Sequence, residues 1–420
     1  MSSFIKNSSI YVFSSIASAA IPFILLPILT RYLSPVEYGQ VAMFTLFTTA
    51  LAALVGLSVH GAANRRFFED DTTKEELARF NGNCFFILLA SALTALVVLL
   101  IIDSYLASYL DIPYEWIYLG LLSVFCSFIL SLRLGQWQIR GKAKHYGILQ
   151  ISNAIVVLIF SLLFVVFFEF GALGRIYGIV VTSIIVGILA MVTLINDKLV
   201  HFKYNRDDIN YALSFGIPLI PHVLGGFLLL SIDRLLINKE LGLEMTGIYM
   251  VAVNLGAALN IIFNSINKAY SPWLFAQLIV AKQATKKTIV KNTYIYFVFL
   301  ILMAFLSFYV ASPVLKLIVG EQFHQAADIL PLIITGQVFL GMYFMVTNYI
   351  YYVKKTKYLS YITVSSGVIN VALLLFLIPL YGISGAAMSF LIANLWQFLC
   401  TWLISGKLYK MPWTFFGEGK

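Results

Sequence analysis

A chain of 420 residues that is 60% hydrophobic and only 11% charged, with a mean hydropathy of +0.90, cannot cover a soluble surface and needs lipid around it. The formal net charge of +9 would suit an anionic partner, but the placement of the cations below accounts for it through membrane orientation, so nucleic-acid binding is not required. Three cysteines, Cys84, Cys126 and Cys400, stand at unrelated spacings inside apolar runs; they support neither a disulfide framework nor a metal site.

Apolar runs of roughly twenty residues occur at about 9–30, 40–62, 83–103, 113–135, 146–169, 174–195, 213–237, 247–270, 291–311, 327–350, 358–380 and 383–405. Each is long enough to cross a hydrocarbon core of about 30 Å at about 1.5 Å per helical residue. The pattern predicts an all-α polytopic membrane protein of about twelve transmembrane helices. The first run has neither a strongly basic leader nor a small-residue cleavage site, and reads as a retained span. With the N-terminus placed in the cytoplasm, only Arg31, Arg175, Arg234, Lys239 and Lys316 of the 28 lysines and arginines lie outside or near the outer ends. That asymmetry predicts both termini on the cytoplasmic side of the membrane.

In span 1, Tyr11, Ser14, Ser15 and Ser18 form a weakly polar stripe at helical spacing, expected to pack closely on another helix. Pro22 and Pro27 follow, each removing a backbone hydrogen bond, and are expected to bend or interrupt the helix; Pro218 and Pro221 occupy span 7 in the same manner. After span 1 comes the charged turn Arg31-Tyr32-Leu33-Ser34-Pro35-Val36-Glu37-Tyr38-Gly39. Span 2 ends in His60 followed by Arg65 and Arg66, and Arg133 at the inner end of span 4 is expected to snorkel to the interface. Gly174-x-x-x-Gly178 in span 6 reads as a packing face.

The polar segment Asn196–Asn210 divides the chain into an N-terminal half, 1–200, and a C-terminal half, 201–420. Span 7 closes with the adjacent ions Asp233 and Arg234, followed by Lys239-Glu240-Leu241-Gly242-Leu243-Glu244-Met245-Thr246-Gly247. Against the first turn, 31 pairs with 239, 33 with 241 and 39 with 247. The register continues with small drift: Asn83 with Asn292, Gly171-x-x-Gly174 with Gly382-x-x-Gly385, and Lys142-x-Lys144 with Lys355-x-Lys357. A repeat kept in order implies duplication. Six spans per unit return the chain to its starting side, so the halves are expected to be parallel repeats around a central cleft.

Span 8 carries Asn260, Asn264, Asn267, Lys268 and Ser271 on one helical stripe. In a membrane such a stripe is expected to face protein or water, since a charge at mid-bilayer costs at least about 2.5 kcal/mol. Asp233 is the candidate for a titrating or cation-binding carboxylate.

Leu29-Thr30-Arg31-Tyr32-Leu33-Ser34-Pro35-x-Glu37-Tyr38-Gly39 after span 1, and Asp233-Arg234-x-x-Ile237 with Leu241-x5-Gly247-x-Tyr249 after span 7, join the twelve-span plan in one resemblance. The chain resembles the O-antigen and polysaccharide flippases (Wzx type) of the multidrug/oligosaccharidyl-lipid/polysaccharide exporter superfamily, and its span number favours that branch over the fourteen-span lipid II flippases. The resemblance covers essentially the whole chain. It implies transfer of an undecaprenyl-pyrophosphate-linked oligosaccharide from the cytoplasmic to the periplasmic leaflet of a bacterial inner membrane by alternating access. It also implies no enzymatic step and no cofactor beyond H⁺ or Na⁺ as a coupling ion, with a polysaccharide polymerase and a chain-length regulator as the accompanying proteins.

The residues suit that cargo. Bare passage of a pyrophosphate would desolvate charge at tens of kcal/mol by Born estimates, and arginine and lysine can replace the lost water on phosphate oxygens. Expected substrate contacts are His60, Arg65, Arg66, Asn260, Asn264, Asn267 and Lys268 toward the inner end, and Arg31, Arg234 and Lys239 toward the outer end, with Asp233 as the ion-coupling group. A multidrug or other small-molecule antiporter of the same superfamily is the alternative, although it would favour acidic contacts for cationic drugs. A membrane-embedded polymerase, ligase or glycosyltransferase would need catalytic groups on a long outer loop, and a scaffold would need no polar stripe.

Overall fold

The computed structural model describes residues 2–69, 72–280 and 283–413, and within them the chain is helical and contains no strand. The helices are α1 (Ser2–Tyr32), α2 (Pro35–Leu54), α3 (Val59–Arg66), α4 (Lys74–Leu110), α5 (Tyr114–Ile139), α6 (Ala143–Leu162), α7 (Gly171–Asn196), α8 (Arg206–Gly216), α9 (Ile220–Leu230), α10 (Ile232–Val280), α11 (Gln283–Ile318), α12 (Ala326–Tyr352) and α13 (Lys357–Leu408). Among the described residues ten helices are long and apolar enough to cross a membrane, and α2 with α3, bent by 50°, supplies an eleventh. The 52-residue α13 is interrupted by non-helical backbone at Gly382; divided there, it contributes two spans, which brings the total to the expected twelve. The all-α polytopic architecture is borne out.

The chain folds as two compact units, unit 1 over Met1–Phe227 and unit 2 over Leu228–Lys420. The division lies beyond the polar segment at which the sequence places it, because that segment and α8 are bound to α4 of unit 1. The His201 N–H donates to the Ala78 carbonyl at 2.9 Å, the Asn81 side-chain amide to the Leu199 carbonyl at 2.8 Å, and the Asn83 amide to the Lys203 carbonyl at 3.0 Å. Asn83 also accepts from the Asn205 N–H at 2.9 Å. Between the two asparagines, Gly82 admits the approach, since a Cβ there would overlap the His201 carbonyl.

Inside unit 1, α1 lies on α6. The hydroxyl stripe does what its spacing predicts: Ser14 is buried beside Gly147, and Ser18 donates to the Gln150 carbonyl at 3.2 Å. Pro22 and Pro27 do not interrupt α1, which runs unbroken from Ser2 to Tyr32. The span 7 prolines do coincide with a change in backbone: Pro218 sits in a short 3₁₀ turn, Ile217–Leu219, between α8 and α9. Gly174 and Gly178 pack on α6 and the π-helical turn that ends it, beside the Phe164 carbonyl and Ser161.

The repeat has a physical counterpart in each unit. In unit 1 the chain breaks after α1 at Ser34, whose hydroxyl accepts from the Glu37 N–H while the Glu37 carboxylate accepts from the Ser34 N–H at 2.8 Å, a reciprocal cap. At the same register unit 2 breaks within α10 at Gly242, φ 82° and ψ 177°, a conformation open to glycine but not to a residue with a Cβ. The glycine pairs also correspond. Gly171 has φ +57° beside the Glu37 carboxylate, and Gly382 has φ +59° beside Leu241. Three residues later, Gly174 abuts the Phe164 backbone and Gly385 the Leu377 backbone. The Asn83 and Asn292 match is in sequence only, since Asn83 is buried and Asn292 exposed.

A Cβ at Gly385 would overlap the Leu377 carbonyl, whereas one at Gly367 meets nothing within 4 Å. Gly385→Ala should destabilise unit 2 by about 1–3 kcal/mol, the usual cost of overpacking, while Gly367→Ala should be neutral or stabilise by up to about 1 kcal/mol through helix propensity. Thermal unfolding in detergent with membrane yield measured in parallel checks both.

Candidate functional site

In unit 1 the basic end of α3 packs on α8. Helical spacing puts Tyr211 and Phe215 on one face of α8, and the guanidinium groups of α3 cover them: Arg65 stands 5.7 Å from the Phe215 ring centroid and Arg66 5.1 Å from that of Tyr211. Arg66 forms an ion pair with Glu69, and Tyr211 donates to the same carboxylate at 2.5 Å. The Tyr211 hydrogen bond, aided by Arg66, holds the Glu69 carboxyl below its ordinary range. Arg65 remains exposed and Arg66 half-buried, so the Arg65 charge stays available while that of Arg66 is shared with Glu69. His60 turns inward, edge-on to Phe128 at 5.7 Å, with Nδ1 buried and without a hydrogen-bond partner among the described residues. Arg31, at the far end of α1, is exposed.

Two ion pairs escape the sequence pattern. Arg133 does not snorkel: its side chain is 1% exposed, it lies 3.8 Å over the Trp137 ring, and Nη2 donates to Asp197 at 2.5 Å. Asp197 is available because α7 ends one residue earlier, which leaves its carboxylate at the mouth of the helix bundle where a buried arginine can reach it. The second pair ties α4 to α8, with Arg79 Nε donating to Asp208 at 2.9 Å. Asn205 caps α8 by accepting from the Asp208 N–H at 2.9 Å, which holds that carboxylate in place. The available signal was Asn81-Gly82-Asn83, two amides and a glycine directly before the long apolar stretch of α4, which marks a docking point for backbone.

In unit 2 the expected stripe on α10 divides by depth. Asn267 is drawn inward and its Oδ1 accepts from Asn348 on α12 at 2.8 Å; Asn260 is half-buried, and Asn264 and Lys268 are exposed. Asp233 is 7% exposed. It accepts from the Tyr249 hydroxyl at 2.7 Å and from the Arg234 N–H at 2.9 Å, so both oxygens of the carboxylate are engaged. The Arg234 Nε is buried without a hydrogen-bond partner among the described residues, and Lys239 is exposed shortly before the Gly242 break. Each pair matched by the repeat, His60 with Lys268 and Arg31 with Lys239, therefore draws one residue from each unit. The three cysteines are free thiols, two buried and one half-buried, and no group of metal-ligating side chains occurs among the described residues.

Comparison with known proteins gives this arrangement a family. The model of the family described as polysaccharide biosynthesis protein matches residues 4–278. The chain belongs to that family. It is 27% identical over 396 residues to Lsg locus putative protein 1 of Haemophilus influenzae, covering 91% of this chain and 94% of that one. It is 25% identical over 375 residues to a further membrane protein of Haemophilus influenzae, covering 87% and 88%. Its fold is similar to that of the lipid II flippase MurJ in an inward closed conformation, with a TM-score of 0.74 at 14% identity over 96% of this chain and 87% of that one. It is also similar to an inward-facing multidrug resistance MATE family transporter of the MOP superfamily, with a TM-score of 0.68 at 16% identity over 94% of each chain. The family and the superfamily fold read from the two turn motifs are borne out, and the chain is a multi-pass membrane protein.

The Arg133–Asp197 pair makes a pH prediction for this family member. The hydrogen bond and charge of Arg133, with Lys142 adding, depress the Asp197 carboxyl. A depressed carboxyl stabilises the fold above its unfolded value of about 3.9, and that contribution disappears as pH falls through the folded value. Asp197 is 36% exposed, so solvent screening reduces the effect. Asp197→Asn should destabilise the fold at pH 7 by up to about 3 kcal/mol through the stranded buried arginine, seen as a lower Tm, and should flatten the further fall of Tm below about pH 5; a Tm series from pH 8 to pH 3 measures both.

Proposed function

We propose that this protein flips an undecaprenyl-pyrophosphate-linked oligosaccharide, an O-antigen or other polysaccharide repeat unit, from the cytoplasmic to the periplasmic leaflet of a bacterial inner membrane by alternating access. The observation that carries the proposal is the polysaccharide biosynthesis family match over residues 4–278. Its support in the structure is that charged groups expensive to place in this solvent stay exposed rather than being consumed in internal ion pairs: Arg31 and Arg65 in unit 1, Lys239 and Lys268 in unit 2. Phosphate oxygens are the ligands that such cations suit. Asn260 and Asn264 beside Lys268, and Arg66 beside Arg65, extend the same surfaces toward sugar hydroxyls and phosphate. Arg234 and His60, each with a buried nitrogen lacking a hydrogen-bond partner among the described residues, supply further donors once they turn toward a ligand. Small-molecule antiport is the other function this fold supports; the sign of the exposed charge weighs against cationic drugs as the cargo.

Asp233 is the proposed coupling group. Its neighbours Tyr249 and Arg234 would hold it in either protonation state, and binding of H⁺ or Na⁺ would bias one conformation over another. A polysaccharide polymerase and a chain-length regulator are the proposed downstream partners, acting on the flipped product.

Two measurements test the reading, both as surface polysaccharide output in cells at matched membrane levels of the protein. Lys268→Ala should lower output about tenfold or more, the scale of one charge-assisted hydrogen bond, and Lys268→Arg should retain most of it, while Lys316→Ala should leave output unchanged; equal output from Lys268→Ala and Lys316→Ala overturns the assignment of Lys268. Asp233→Asn should reduce transfer with membrane insertion intact and should abolish its dependence on the ion gradient, and full gradient-dependent transfer by that variant would leave Asp233 a structural role only.

A further inference from the structure

At the end of unit 1 where α4 and α6 begin and α5 and α7 end, a cavity of about 940 Å³ opens beside the polar segment that follows α7. It is lined by Lys74, Arg140, Lys142, Lys198 and His201, by the acidic Glu75 and Asp197, and between them by apolar groups such as Phe67 and Leu199. None of these residues is among those assigned to the translocated substrate. The charges are out of balance. Asp197 receives Arg133 at 2.5 Å and the Lys142 ammonium at 3.6 Å, so this carboxylate is already shared. Arg140 has no carboxylate partner among the described ion pairs: its Nη1 donates to Gln136, to the carbonyl at 3.1 Å and to the side-chain oxygen at 2.5 Å, and its guanidinium lies 4.8 Å over the Phe67 ring. Behind them, Arg133 is 1% exposed and keeps Nε and Nη1 buried without hydrogen-bond partners among the described residues.

Arg133 and Lys142 thus share one carboxylate, Arg140 stands near them without one, and Lys74 and Lys198 line the same cavity with Glu75. Cations held at the edge of a low-dielectric body, where screening is weak, strongly favour an anion among them. Burial, with the Arg133 charge adding, lowers the Arg140 guanidinium from its ordinary value. The first turn of α6 starts at this cavity without a side-chain cap, which adds the positive end of a helix dipole. The volume exceeds what an ion alone requires and falls in the range of pockets for organic ligands, and the apolar part of the lining suits a carbon skeleton.

We propose that this cavity binds a phosphate group carried on an organic body, either an anionic lipid headgroup or a soluble phosphate ester, at a site separate from the transport residues. A ligand here would join the starts of α4 and α6 to the segment that follows α7, and so would fix the end of unit 1 from which the chain passes to α8.

The test uses the full chain purified in detergent and, separately, in nanodiscs. Thermal unfolding is titrated with glycerol 3-phosphate in detergent, and compared in nanodiscs of phosphatidylcholine with and without phosphatidylglycerol. Stabilisation is expected in at least one arm: in the detergent arm it identifies a soluble ester, and in the nanodisc arm alone it identifies a lipid headgroup. Arg140→Gln should raise the half-saturating anion content about tenfold, the scale of one lost charge-assisted contact, and the double variant Lys142→Gln/Lys198→Gln, at exposed positions that tolerate substitution, should do the same if Arg140→Gln fails to fold. Lys316→Ala should leave the shift as in the parent. No anion-dependent stabilisation in either arm, or a stabilisation that the Lys142/Lys198 double variant leaves unchanged, overturns the proposal. Because the readout is binding and not transport, this result stands or falls independently of the flippase reading.

Discussion

Everything in this fold answers to one constraint: hydrocarbon offers no hydrogen bonds, so each backbone group released at a break in a helix must find a partner within the protein. The chain breaks where it can meet that demand. At Ser34 the demand is met by the reciprocal cap with Glu37, whose other carboxylate oxygen also accepts from the Ala172 N–H at 3.3 Å, at the start of α7. One side chain thereby serves two helix starts. At Thr73 the same device recurs with Glu76. At Gly242 and Gly382 the chain uses glycine dihedrals instead, backbone conformations open to glycine at which one helix ends and the next begins.

Charge obeys the same rule with higher stakes, because a buried ion without a partner costs several kcal/mol. The buried ionic groups Arg133, Asp208 and Asp233 each have a hydrogen-bonded or ionic partner within their own unit. The exposed cations Arg31, Arg65, Lys239 and Lys268 are a different population. Structural ions hold elements together, whereas the exposed cations are free to change partners.

The two units keep matched features while their local chemistry differs. The break after the first helix of each unit stands at one register, made by a serine cap in one and by glycine in the other. The glycine pairs Gly171/Gly174 and Gly382/Gly385 keep both dihedral and packing roles. Asn83 and its counterpart Asn292 do not, because Asn83 is buried and binds the polar segment that follows α7, whereas Asn292 is exposed.

The sequence by itself determined the solvent, the twelve spans, the two turn motifs and the family, because hydropathy over about twenty residues and the need for glycine at positive φ are local properties that a linear reading detects. It also marked Lys268 and Asp233 as expensive and therefore informative. It could not decide how the candidates would divide. Asn267 and Lys268 are neighbours in the chain, yet one is bonded to Asn348 and the other is exposed. Arg133 resembled a snorkelling residue until packing placed it on Trp137 with Asp197 at hand, and the polar segment after α7 read as the divider between the halves, whereas Asn81, Gly82 and Asn83 hold it on unit 1. Ion pairing and docking depend on residues 64 and more than a hundred positions apart meeting in space, and only tertiary structure sets those distances.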